Sequence, residues 1–143
     1  MAATGRARTK PMILVVDDDH DIREVIAESL ALDGYLVCAA PNGKIALEQA
    51  HAKRPDLIVL DLMMPVMSGE EFLAARREDR ELAATPVVVI TAAIDSQVEG
   101  AAVLLQKPFE LETLLATVSR LCGEGRRLDG PGWSASSQDL SAY

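Results

Sequence analysis

Five side chains of types that can move a phosphoryl group stand at or near the ends of apolar runs. Asp17 and Asp18 follow Ile13-Leu14-Val15-Val16, and Asp61 follows Leu57-Ile58-Val59-Leu60. Thr91 follows Val87-Val88-Val89-Ile90, and Lys107 comes just after Ala102–Leu105. A carboxylate is a nucleophile that can form an acyl phosphate. Carboxylates are also the hard oxygen donors that Mg²⁺ takes, and because that ion keeps several waters, one or two suffice. An ammonium and a hydroxyl supply the charge neutralisation and positioning that phosphoryl transfer requires. Asp61 is therefore read as the phosphoryl acceptor, with Asp17 and Asp18 beside it at a cation and Thr91 and Lys107 facing the phosphoryl oxygens. Without a cation such carboxylates would repel one another and some would bind protons.

That chemistry needs residues as distant in sequence as Asp17 and Lys107 to meet. Parallel strands bring all their carboxyl ends to one edge, where ligands bind in open α/β sheets. The apolar runs, bounded by turn signals, read as strands buried on both faces. Between them lie helical patterns. Asp19 or Asp21 caps a first helix with Ile22, Val25, Ile26, Ser29 and Leu30 on one face, ended at Asp33-Gly34. Tyr35–Ala40 is a short second strand. Asn42 caps a helix with Ile45, Ala46, Gln49 and Ala50, closed at Arg54-Pro55. Ser68 or Gly69 starts a third, with Phe72, Leu73 and Arg76 at helical spacing. The last helix carries Leu111, Leu114, Leu115, Val118, Leu121 and Cys122 in one stripe. Strand and helix alternate about five times, which implies right-handed crossovers and helices on both faces of the sheet.

Residues 1–11 read as a disordered leader, 12–122 as a single domain, and 123–143, rich in Gly, Ser, Asp and Pro, as a mostly disordered tail. The 143 residues carry 14 Lys plus Arg against 22 Asp plus Glu, a net charge of −8, which argues against nucleic-acid binding. The apolar runs are too short to span a bilayer, and the N-terminus does not read as a signal peptide. Cys38 and Cys122 read as reduced thiols of a cytoplasmic protein. His20 and His51 read as isolated and solvent-facing, Met63, Met64 and Met67 as packing, and Trp133 in the tail as a docking anchor or a residue without a role.

The stretches ILVVDDD, IVLDLMMPVMSG, VVVITA and QKPF, in that order, resemble those of bacterial two-component response-regulator receiver domains. The resemblance implies a flavodoxin-like five-stranded parallel sheet of order 2-1-3-4-5. It implies a signalling domain, not an enzyme, that takes a phosphoryl group onto Asp61 from a sensor histidine kinase or phosphotransfer protein. Asp18 would ligate Mg²⁺, Asp17 would help position it, and Met63 would lend its backbone carbonyl. Thr91 would be the switch hydroxyl, Lys107 would pair with the phosphoryl group, and the Lys107-Pro108 bond would be cis. A downstream protein target is implied, and the chain is read as a stand-alone monomer or weak dimer.

Two departures bear on output. Thr91 and Lys107 are sixteen positions apart, a shorter segment than usual, so the fourth helix is expected to be short or missing. Leu104 stands where the family often has the Tyr or Phe whose ring rotation accompanies the threonine shift. An altered readout surface follows, and a phosphorylation-independent interaction module is the alternative reading. Met63 and Ala93 flank the acceptor and neither can orient a water, so slow self-dephosphorylation is expected. An aspartyl phosphatase would want an acid where Met63 stands, and a flavin site would want a phosphate-cradling loop where Asp17–Asp19 stand.

Overall fold

The structure is a computed structural model, and it describes residues 10–92 and 98–126. Five strands form one parallel sheet: β1 Met12–Val16, β2 Leu36–Ala40, β3 Leu57–Asp61, β4 Val87–Thr91 and β5 Val103–Gln106, in the spatial order β2-β1-β3-β4-β5. Among the described residues there are four helices: α1 His20–Leu32, α2 Gly43–Lys53, α3 Gly69–Arg77 and α4 Leu111–Arg126. This is the flavodoxin-like doubly wound order 2-1-3-4-5.

Strands β3 and β4 are buried at every position, which is why their sequences are nearly continuous apolar runs. Alternate side chains serve opposite faces. Leu14, Val16, Ile58, Leu60, Val87 and Val89 pack with Phe72 and Leu73 of α3 and Ala46 and Ala50 of α2. Ile13, Val15, Leu57, Val59, Val88 and Ile90 pack with Ile26 and Leu30 of α1 and Leu114 and Val118 of α4. Register then sets the site. Val16 pairs with Ala40 and Leu60, Asp61 with Ile90, and Thr91 with Gln106, so the strands reach the same edge together.

Local signals set the helix starts. Asp19 caps α1 by accepting from the N–H groups of Asp21 and Ile22, and Asn42 caps α2 by accepting from that of Ile45. Ser68 and Glu71 form a reciprocal capping box on α3. Cys38 is half-buried and Cys122 is buried.

Some boundaries differ from expectation. Tyr35 precedes β2, and β5 lies one residue later than the apolar run suggests, because it pairs with β4 from Val88 onward. Helix α4 continues past Cys122 to Arg126. Val25 is 51% exposed, since α1 lays Ile26 and Leu30 on the sheet and turns Val25 outward. Eleven residues join β4 to β5. Those described, Ala92 and 98–102, are not helical, and the rest of the fourth-helix question lies outside the described residues.

Arg76 is buried although charged. Its guanidinium donates to the carbonyls of Thr85 and Ala83, at 2.8–3.0 Å, and so fastens the α3–β4 connection. Burial first, and then the charge of Arg77, pull its pKa down. Replacing Arg76 by Met should cost about 1–3 kcal/mol in urea unfolding, since those carbonyls lose charged donors. An unchanged midpoint would show that the contact adds nothing.

Candidate functional site

The site lies at the carboxyl edge of the three central strands. Asp61 ends β3 and is 3% exposed; Asp17 follows β1 and is fully buried. Lys107 directly follows β5, and its Nζ lies 3.2 Å from Asp17 Oδ2 and 3.4 Å from Asp61 Oδ2. The carboxylates of Asp17, Asp18 and Asp61 offer ligand atoms all within 4.8 Å of one another. Asp18 is exposed to solvent, which gives the cluster an open side. Thr91 is buried at the end of β4, and its carbonyl accepts from Lys107 N–H at 2.7 Å. The Lys107–Pro108 peptide is cis.

Backbone donors hold these carboxylates. Asp17 Oδ1 accepts from Asp19 N–H at 2.9 Å, and Asp61 Oδ1 accepts from Met63 N–H at 3.2 Å. The segment after Asp61 is tightly packed. A Cβ on Gly69 would come within 2.6 Å of the Asp61 carbonyl oxygen and of the Leu62 Cα, so only glycine fits there. Val66 stands at φ 71°, a left-handed conformation rare for a β-branched residue, in a turn closed by Met67 N–H on the Pro65 carbonyl at 2.7 Å.

Burial is the largest influence on Asp61, and the Asp17 carboxylate comes next; together they raise its pKa from 3.8 to about 6. Lys107 and the Met63 N–H oppose the rise. For Lys107, burial pulls the pKa down, but the charges of Asp17 and Asp61 outweigh it and the net shift is upward. Three carboxylates thus face one ammonium, an excess of two negative charges when all are ionised. All-oxygen donors with an open side fit a hard divalent cation such as Mg²⁺.

The structure brings Asp17, Asp18, Asp61 and Lys107 together and sets Thr91 on the adjoining strand end. Met63 is 64% exposed beside Asp61. Leu104 lies elsewhere, paired with Val89 in the middle of β5 and 38% exposed. Ala93 and Trp133 lie outside the described residues. His51 is exposed as expected but not isolated. Its Nε2 lies 2.8 Å from Asp79 Oδ2 and its Nδ1 3.5 Å from Glu81 Oε1, while Arg54 pairs with Glu81 at 3.2 Å. Asp79 and Glu81 are far from His51 in sequence, so only the packing of α2 beside α3 reveals this tie. Arg23 was also invisible in the pattern: its Nη1 donates to the Asp17 carbonyl at 2.8 Å.

A family model described as the response regulator receiver domain matches residues 13–119. The chain belongs to that family. This receiver is 40% identical over 137 residues to the response regulator MprA of Mycolicibacterium vanbaalenii, covering 90% of the chain and 58% of that protein. It is 40% identical over 118 residues to the sensor histidine kinase TmoS of Ectopseudomonas mendocina, covering 78% of the chain and 12% of that protein. Among solved structures, the chemotaxis protein CheY4 of Vibrio cholerae superposes with a TM-score of 0.74 at 36% identity, covering 79% of this chain and 99% of that one. The receiver spans at most 58% of the length of these two curated relatives. Receiver domains are signalling modules of two-component systems and interact with histidine kinases and downstream effectors. No helix among the described residues of this one is long and apolar enough to cross a membrane.

The raised pKa of Asp61 has a consequence for stability. Between 3.8 and about 6 the folded state holds this proton more tightly than the unfolded chain does, so its contribution falls as pH rises through that window. With chelator present, Asp61→Asn should become more stable than the parent by about 1–3 kcal/mol between pH 4 and 7. Urea melts at the two pH values measure this, and a difference that does not change with pH would refute it.

Proposed function

We propose that this receiver accepts a phosphoryl group on Asp61 from a phosphohistidine of a sensor kinase or phosphotransfer protein, and that the change alters which protein it binds. The observation that carries the reading is the buried Asp61 carboxylate facing Lys107, with the Asp17 and Asp18 carboxylates within ligand distance. An Asp61 oxygen bonds to phosphorus as the phosphorus–nitrogen bond breaks, and the imidazole leaves with the electron pair. With a pKa of about 6, Asp61 is mostly the nucleophilic carboxylate at neutral pH. Lys107 faces the incoming oxygens and neutralises their charge, and the Thr91 hydroxyl binds one of them as the switch. Asp17, Asp18, Asp61 and the Met63 carbonyl are the candidates to hold Mg²⁺, which when bound supplies further charge neutralisation. The phosphoryl group adds a charge of about −1.5 to −2 at neutral pH, enough to bias a two-state loop arrangement.

The partners on this reading are a kinase or phosphotransfer protein and a protein target, met in the cytoplasm, with the receiver a monomer or weak dimer. The domain would occupy residues 12–122, with its last helix carried on to Arg126. A phosphorylation-independent adaptor is the second reading. It is favoured by Leu104, which has no ring to swing, and by the eleven-residue β4–β5 connection.

Incubation with Mg²⁺ and acetyl phosphate should add one phosphoryl mass to the intact chain, and Asp61→Asn should abolish the addition. An unmodified parent chain would defeat the acceptor reading and leave the adaptor. Phosphorylation should move amide resonances around Asp61 and Thr91 more than those around Leu104. A shift map centred on Leu104 would restore the usual output face. Hydrolysis of the acyl phosphate should be slow, and Met63→Asn combined with Ala93→Glu should hasten it; an equal rate in the two proteins would show that these positions do not control it.

A further inference from the structure

The Asp17–Asp18 segment is held more firmly than its position in a loop requires. All four polar atoms of Asp17 have partners. Its N–H donates to the Ala40 carbonyl at 3.2 Å, Oδ1 accepts from Asp19 N–H at 2.9 Å, and Oδ2 accepts from Lys107 at 3.2 Å. The fourth, its carbonyl oxygen, accepts from Arg23 Nη1 at 2.8 Å. Arg23 is the fourth residue of α1, its own N–H already bonded to the Asp19 carbonyl at 2.9 Å. Its partly buried side chain folds back over the start of the helix. A cation in the first turn is disfavoured by the helix dipole, which prefers acids there. The position therefore calls for a reason beyond helix stability.

The Asp17 carbonyl belongs to the peptide plane that joins Asp17 to Asp18. Fixing that oxygen fixes the plane, and the plane sets the direction in which the Asp18 carboxylate leaves the chain. Asp18 is exposed, so packing does little to choose its orientation. Yet its carboxylate offers a ligand atom within 4.8 Å of those of Asp17 and Asp61. The guanidinium also places a positive charge beside a cluster with excess negative charge.

We infer that Arg23 is a positioning residue for the cation pocket: it clamps the Asp17–Asp18 peptide so that Asp18 points at the place a divalent ion would take. The inference rests on the reading of Asp17, Asp18 and Asp61 as a Mg²⁺ site. Arg23 does not touch the ion or the phosphoryl group. It acts on how tightly the ion is held and not on the transfer itself.

The test is titration of the full chain with Mg²⁺ by calorimetry, together with the rate of acetyl phosphate modification as a function of Mg²⁺ concentration. Arg23→Met, of similar length without donor or charge, should weaken Mg²⁺ binding about ten-fold, as loss of an outer-sphere partner does. Its rate at saturating Mg²⁺ should stay within about two-fold of the parent, because Asp61, Thr91 and Lys107 are untouched. Arg23→Lys, which keeps charge and donor, should recover binding to within about three-fold. If Arg23→Met does not fold by circular dichroism, Arg23→Gln, too short to reach the carbonyl, takes its place with the same expected loss. A folded variant that binds Mg²⁺ as tightly as the parent, or more tightly, overturns the inference. So does a loss that saturating Mg²⁺ leaves in place, or one that lysine does not recover. A parent chain that binds no Mg²⁺ sinks the acceptor reading itself, and the inference with it; that failure is visible before any variant is made.

Discussion

The interaction on which the rest depends is the crowding of carboxylates against a single ammonium at the rim of the sheet. Asp17 and Asp61 are nearly sealed from water, and Lys107 lies within 3.4 Å of both. Burying an ionised carboxylate is costly unless it is paired and hydrogen-bonded. Here the pairing is partial. Lys107 and the N–H groups of Asp19 and Met63 satisfy some of the oxygens, and Asp61 nonetheless stays well above the usual carboxylate range. A pocket in that condition favours whatever brings positive charge to its open side.

Holding this arrangement is work shared by the loops around it. The segment after Asp61 is pinned from below by Gly69, whose N–H bonds the Leu62 carbonyl at 2.8 Å and which has no room for a Cβ. From the side it is braced by α2, where Gly43 N–H donates to the Met67 carbonyl at 3.2 Å and a Cβ would come within 2.7 Å of the Met67 side chain. Val66, held left-handed between these anchors, stores strain of a kind worth about 1–3 kcal/mol, which persists only where the surroundings over-determine it. The loop before α1 is knitted in the same way by Asp19 and Arg23. The acidic pocket is therefore built on two short, tightly bonded loops set at the ends of fully buried strands.

The far side of the sheet is less committed. Strand β5 is an edge strand of only four residues with alternating exposure, and Leu104 projects from it onto the face that carries Val89. The α3–β4 connection that flanks this face is held by a buried arginine on carbonyl groups, not by apolar packing alone. The acidic pocket and the exposed Leu104 of β5 thus lie on separate parts of the surface.

Much of this was legible in the chain itself. Continuous apolar runs ending in Asp17-Asp18, Asp61 and Thr91 determine buried parallel strands, and parallel strands put those residues on one edge whatever the loops do. Capping residues at Asp19, Asn42 and Ser68 likewise mark the helix starts, because a cap acts within three residues of itself. Contacts between side chains distant in sequence, or folded back on a loop, carry no such periodic mark. The bond from Arg23 to the Asp17 carbonyl, the tie of His51 to Asp79 and Glu81, the buried seat of Arg76 and the outward turn of Val25 were decided only when the helices packed. The one-residue offset of β5 has the same origin: an edge strand takes its register from the neighbour it pairs with, and its own apolar pattern is too short to fix it.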